Sequence, residues 1–199
     1  MRVLHFLFAT VFALVAGGAA VAADAPAPVQ GPKVLIQTSM GDITLQLDPE
    51  HAPLTVANFL RYAKEGHFDG TVVYRVVPGF VIQAGSWTAD LQTRPTHAPI
   101  PLEAGLGNLR GTVAMARAEP DSATAEFFIN LADNTALDRQ AGDTANATGY
   151  AVFGQVVGGM EVVDKIATVP LGDHGPMPGA APVDPITITK VTVLPDAAP

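Results

Sequence analysis

Apolar and polar positions alternate through most of the chain after residue 33. Val34, Leu35 and Ile36 open an apolar run, Ser39–Met40–Gly41–Asp42 supplies turn chemistry, and Ile43, Leu45 and Leu47 alternate with Thr44 and Gln46. That pattern predicts a hairpin with one buried face. The period then changes. After Pro53–Leu54–Thr55, the residues Val56, Phe59, Leu60 and Ala63 recur at helical spacing, and Gly66 supplies a stop. Thr71–Val77 and Phe80–Gly85 are β-type runs joined at Pro78–Gly79, and Thr112–Ala118, Glu126–Leu131, Tyr150–Val157 and Ile186–Val193 follow. Met160–Ala167 is a second short helix. Ser86–Arg110, Asp133–Gly149 and Leu171–Pro185 carry glycines, prolines and polar residues and are predicted as loops. About eight strands with two helices suit an all-β-dominated fold: a closed eight-stranded antiparallel β-barrel capped by two α-helices.

The ends read differently. Met1–Arg2 is a short positive start, residues 3–16 are almost wholly apolar, and small residues from Gly17 to Ala23 permit cleavage after Ala22 or Ala23. This is the layout of a secretory leader rather than a span, for which the apolar core is short. The expected organisation is a leader over 1–23, a flexible Ala/Pro-rich lead over 24–32 and one domain over 33–194. The mature chain is expected to be periplasmic, off the membrane and monomeric.

Composition narrows the chemistry. The 199 residues contain no cysteine, which excludes a thiolate metal site, a redox dithiol and a cysteine nucleophile. The net charge is −8, with 11 Lys and Arg against 19 Asp and Glu, and no basic cluster exists to neutralise phosphates. Nucleic acid is therefore not an expected partner. The five histidines stand at no metal-ligand spacing, so no metal is expected. Gly105–Leu106–Gly107 lacks the context of a dinucleotide loop, and Asp133, Asp138 and Asp143 read as a solvated acidic loop. Asn146–Ala147–Thr148 matches a glycosylation sequon by pattern alone.

Arg75 is the residue that demands explanation. It lies among Val73, Val76 and Val77, and a cation in an apolar β segment is costly without a partner. A tight two-residue turn at Pro78–Gly79 would pair it with Ile82. A longer turn would pair it with Gln83, which could hold the guanidinium by a hydrogen bond. The alternative is a surface arginine lying with its stem along the sheet.

These segments resemble the cyclophilins. Val73–Gln83 is similar to the family's Phe-His-Arg-Val-Ile-Pro-Gly-Phe-Met-Ile-Gln segment. Ala52–Phe59, Gly111–Arg117, Asp121–Asn130, Leu137–Asp138 and Tyr150–Gly154 match further family motifs in order. The resemblance implies a peptidyl-prolyl cis-trans isomerase of the bacterial periplasmic type that needs no cofactor and acts on proline-containing polypeptides. It implies that Arg75 is catalytic and steadied by Gln83, and that Phe80, Val81, Phe128, Leu137 and Tyr150 hold the proline. Met115, Ala116 and Arg117, with Glu126, would line the substrate chain. A proline-binding chaperone with little or no turnover is the alternative.

The chain also departs from the pattern. Tyr74 stands where the family has His, Val81 where Met is usual, Ala84 in place of Gly, and Glu126 in place of Gln. A carboxylate at 126 could pair with Arg75, orienting the guanidinium or diverting it from the substrate; the alternative is that it points to water. Ala136 replaces an aromatic that many eukaryotic members use for cyclosporin, which implies weak affinity for that drug.

Overall fold

Residues 33–47 fold as the alternation requires. β1 (Lys33–Thr38) and β2 (Gly41–Leu47) pair in register from Lys33↔Gln46 to Thr38↔Gly41. Val34, Ile36, Ile43 and Leu45 are buried on one face. The structure, a computed structural model, describes residues 31–142, 145–173 and 175–195. The leader over 1–23, most of the lead, Asp143 and His174 lie outside the described residues.

Helix α1 (Pro53–Lys64) starts with proline at its first position, where the missing N–H costs nothing. Its open N-terminus is satisfied from a distant loop. The Glu103 carboxylate accepts the Leu54 and Thr55 backbone N–H groups at 3.1 and 2.8 Å and the Thr55 hydroxyl at 2.7 Å. Gly66 ends the helix at φ +69°, a conformation that favours glycine. Val56, Phe59, Tyr62 and Ala63 face the core, where the Phe59 ring lies 5.0 Å from Phe68, 5.4 Å from Phe127 and 5.1 Å from Phe153.

The remaining strands are β3 (Arg75–Val77), β4 (Val81–Ala84), β5 (Thr112–Met115), β6 (Phe127–Asn130), β7 (Val152–Gly158), the short pair β8 (Leu171–Gly172) and β9 (Ala181–Pro182), and β10 (Ile188–Val193). Helix α2 (Met160–Ile166) buries Val162, Val163 and Ile166. The main sheet is antiparallel with order β10-β1-β2-β7-β5-β6-β4-β3.

The sheet is a curled half-barrel, which corrects the expected closed barrel. β3 and β10 are its two edges and share no ladder. Chain ahead of β3 reaches across instead, with Ile188 donating to the Thr71 carbonyl at 2.8 Å and Val73 to that of Ile186 at 2.9 Å. Beyond that point the Val76 N–H goes to Ala180 at 2.7 Å, so the β8–β9 segment covers the edge of β3. Pro176, Pro178, Pro182 and Pro185 lie in this stretch, and proline cannot donate to a continuing ladder.

Candidate active site

Successive side chains in β4, β5, β6 and β7 point to opposite faces, and both faces are apolar. Ile82, Val113, Phe127, Ile129 and Phe153 belong to the inner core. Val81, Ala114, Phe128 and Val152 form a second cluster on the outer face, with Phe80, Leu106, Ala116, Leu137 and Tyr150 packed around it. The four central residues are buried, and the half-buried Phe80, Leu106, Ala116, Leu137 and Tyr150 form the apolar surface of this cluster.

The turn between β3 and β4 sets what stands beside this cluster. Pro78 and Gly79 occupy its centre, Gly79 has φ +72°, and the Phe80 N–H donates to the Val77 carbonyl at 2.9 Å. This is a type II turn, with proline first and glycine at the left-handed position. It leaves Phe80 as an extra loop residue, so Arg75 pairs with Gln83 and not Ile82. Gln83 pairs in turn with Phe128, Phe128 with Ala114, and Ala114 with Val152. One row of ladder partners therefore runs from the arginine straight into the apolar cluster, with neighbouring strands spaced about 4.8 Å apart.

Arg75 is half-buried, and its Nη1 donates to Gln83 Oε1 at 3.1 Å. Among the described residues no ion pair joins Arg75 to Glu126, which corrects the pairing weighed from sequence. Glu126 Oε2 accepts instead from Tyr74 Oη at 2.5 Å and Gln83 Nε2 at 3.1 Å. Burial first, and the Glu126 charge second, raise the Tyr74 hydroxyl far above its ordinary pKa, so it stays protonated.

Two polar assemblies hold the rim. The Asn134 amide donates to the Phe80 carbonyl at 2.9 Å and to Asn130 Oδ1 at 2.7 Å. Asn130 donates to Thr112 Oγ1 at 2.9 Å, and Asp138 Oδ1 accepts from the Asn108 backbone at 2.6 Å and side chain at 3.0 Å. Asp138 and Asp133, read as solvated from sequence, are thus loop anchors; Asp133 accepts the Arg110 N–H at 2.9 Å. On the other side Arg117 donates to the Gly149 carbonyl at 2.9 Å through Nε and to Thr148 Oγ1 at 2.9 Å. Its guanidinium lies 4.5 Å from the centre of the Tyr150 ring, which meets Phe128 edge-on at 5.6 Å.

The structure thus brings together Arg75, Gln83, Phe80, Val81, Ala116, Phe128, Leu137 and Tyr150, with Arg117 and Glu126 at the margins. Met115 is a correction. It is 1% exposed in the inner core, and its neighbours Ala114 and Ala116 face the outer cluster. Counting by twos along β5 identifies Ala114. Leu106, Asn108 and Asn134 also escaped the sequence reading, because they come from loops with no periodicity, whereas Asn130, to which both asparagines bond, ends β6. Ala136 is exposed beside Leu137. Among the described residues no group of three His, Asp or Glu is arranged to hold a metal ion, and no helix is long and apolar enough to cross a membrane.

Comparison with known proteins agrees with this geometry. Residues 33–193 match the family described as cyclophilin type peptidyl-prolyl cis-trans isomerase/CLD. The chain is 47% identical over 164 residues to peptidyl-prolyl cis-trans isomerase A of Dickeya dadantii, covering 81% of this chain and 84% of that one. It is 44% identical over 184 residues to a peptidyl-prolyl cis-trans isomerase of Acinetobacter baylyi, covering 91% and 94%. Among solved structures, the cyclophilin type isomerase of Cryptosporidium parvum, crystallised in the presence of the dipeptide Ala-Pro, superposes with TM-score 0.68 at 22% identity. That match covers 82% of this chain and 99% of the other, and shows the shared fold. A cation held against an outer apolar cluster, on a curled antiparallel sheet with two helices, together with these relatives, places the chain in the cyclophilin-type peptidyl-prolyl cis-trans isomerase family.

Proposed function

We propose that Arg75 is the catalytic group of this isomerase and that it donates to the imide nitrogen of an X–Pro bond as that bond twists. The observation that carries this reading is the ladder row Arg75–Gln83–Phe128–Ala114, which sets a fixed donor beside the outer apolar cluster. A proline ring seated among Phe80, Val81, Phe128, Leu137 and Tyr150 puts its nitrogen on the Arg75 side.

Amide resonance opposes rotation with a barrier of roughly 18–20 kcal/mol. Twisting removes that resonance and leaves the nitrogen pyramidal and basic. A donor held still by Gln83 binds this state better than either planar isomer, which is what acceleration requires. A charge-assisted hydrogen bond contributes about 1.5–3 kcal/mol, or roughly ten- to a hundredfold in rate. The apolar cluster supplies more by gripping the ring and keeping water from the carbonyl that turns.

The substrate chain would run past Ala116 and Arg117 as an added strand. The leader pattern of residues 1–23 supports a periplasmic protein acting on exported, folding polypeptides. The experiment is a protease-coupled assay on a proline tetrapeptide. The mature chain is expected to accelerate cis-to-trans conversion, and Arg75→Ala to lose roughly ten- to a hundredfold in kcat/KM, the value of one such bond. Peptide binding without turnover would leave the chaperone reading in its place.

A further inference from the structure

The pair Arg75–Gln83 is braced from behind. Gln83 is 9% exposed, and its Nε2 donates to Tyr74 Oη and, at 3.1 Å, to Glu126 Oε2. The Tyr74 hydroxyl donates to the same Oε2 at 2.5 Å. Tyr74 precedes β3, Gln83 sits in β4 and Glu126 precedes β6, so the three meet only in the folded sheet.

Donor and acceptor capacity fixes how this cluster is oriented. A guanidinium only donates, an ionised carboxylate only accepts, and an amide does both. One orientation of Gln83 satisfies both sides, with its nitrogen toward Glu126 and its oxygen toward Arg75. The flipped amide would set N–H against N–H on one side and oxygen against oxygen on the other. Gly85 makes the arrangement possible. A Cβ there would lie 2.6 Å from the Ala125 carbonyl oxygen and 2.9 Å from Glu126 Cα, so only glycine lets the 125–126 backbone approach this closely.

We infer that Tyr74 and Glu126 are a coupled positioning pair that locks the Gln83 amide and, through it, the direction of Arg75. The inference rests on the reading of Arg75 given above. The two residues that depart from the family pattern at 74 and 126 are partners in space, and each supplies what the other needs: a neutral donor for a carboxylate.

The test compares Tyr74→Phe, Glu126→Gln, the two together, and Tyr74→His combined with Glu126→Gln. Turnover on a proline tetrapeptide gives kcat and KM separately, and 15N NMR follows the Gln83 side-chain amide and the Arg75 Nε–H. Each single change is expected to lower kcat roughly threefold to tenfold with little change in KM, because the pair acts on Arg75 only through Gln83. Tyr74→Phe with Glu126→Gln should cost well below the product of the singles, because both act through Gln83. Tyr74→His with Glu126→Gln should recover most of the turnover. The Gln83 amide signals should move in both single variants. Multiplicative effects, a rise in KM alone, or unmoved Gln83 signals would overturn the lock. An unmutated chain without turnover would overturn the reading of Arg75, and the Gln83 signals would still decide the lock by themselves.

Discussion

Phe127 and Phe128 are consecutive in β6 and bury their rings on opposite faces of one sheet. Phe127 packs inward, edge-on to Phe59 at 5.4 Å and Phe68 at 5.6 Å. Phe128 packs outward, edge-on to Tyr150 at 5.6 Å and paired with Gln83 in the ladder. Adjacent positions therefore separate stability from activity. Phe127→Leu and Phe128→Leu should each cost about 1–2 kcal/mol in urea unfolding, as loss of buried ring contacts does. Only Phe128→Leu should also lower kcat/KM, by roughly tenfold, the scale at which a pocket resolves a small change of shape. Equal activity losses in the two variants would contradict a proline site on the outer face.

Arg117 acts on the same cluster from its rim. Its guanidinium holds the Gly149 carbonyl and covers the Tyr150 ring. Lysine keeps the charge but loses the planar fork and most of the stacking. Arg117→Lys should raise KM for a proline peptide about threefold to tenfold with kcat nearly unchanged, since Arg117 shapes the site without touching the twisting bond. Steady-state kinetics over a range of peptide concentration measures this split.

What could be read from the sequence followed distance along the chain. The β1–β2 hairpin, α1 and the Arg75–Gln83 pair depend on residues within about a dozen positions, and periodicity and turn chemistry report on these. The outer cluster was partly legible, because Val81, Phe128 and Tyr150 sit in motifs that resemble a family. Met115 was misplaced by taking a motif as a block, where β5 alternates residue by residue. Closure of the sheet depends on whether residues 70–77 meet 180–193, and no local signal reports on a pairing over a hundred positions away. The Tyr74–Glu126 contact spans 52 positions and was invisible for the same reason. Glu126 seemed aimed at Arg75 because opposite charges attract, but the register delivers it to two neutral donors.

Gly85 tests that register. Its φ of +126° and the tight approach of residues 125–126 both exclude a side chain. Gly85→Ala should destabilise the fold by about 2 kcal/mol or more and reduce turnover further than its stability loss explains. Separation of the 125–126 backbone from β4 would carry Glu126 away from Gln83. Urea unfolding beside kcat at a temperature where the variant is fully folded distinguishes the two effects. Unchanged kcat in the folded variant would argue against the close approach.

His67 gives the fold a dependence on pH. Its Nε2 lies 3.0 Å from the Gly85 carbonyl oxygen, to which the neutral ring donates, and the ring packs 4.6 Å from Tyr62. Burial holds its pKa below the ordinary 6.5; the Gly85 bond works the other way, and the Arg94 and His97 charges add to the depression. Folding therefore favours the neutral ring, while the unfolded chain takes up a proton near pH 6.5. The unfolded state binds more protons in this window, so stability is fully present above about pH 6.5 and falls as pH drops through the folded-state value. His67→Gln keeps a donor for Gly85 and removes the titration. Urea midpoints of the wild type should fall between pH 7.5 and roughly pH 5, and those of His67→Gln should fall less. Glu65, whose carboxyl is held below its ordinary value chiefly by its hydrogen bond to His97, acts in the more acidic window below pH 4.5 and does not blur the comparison. Parallel curves for the two proteins across this range would show that the imidazole is solvated rather than pressed against Gly85.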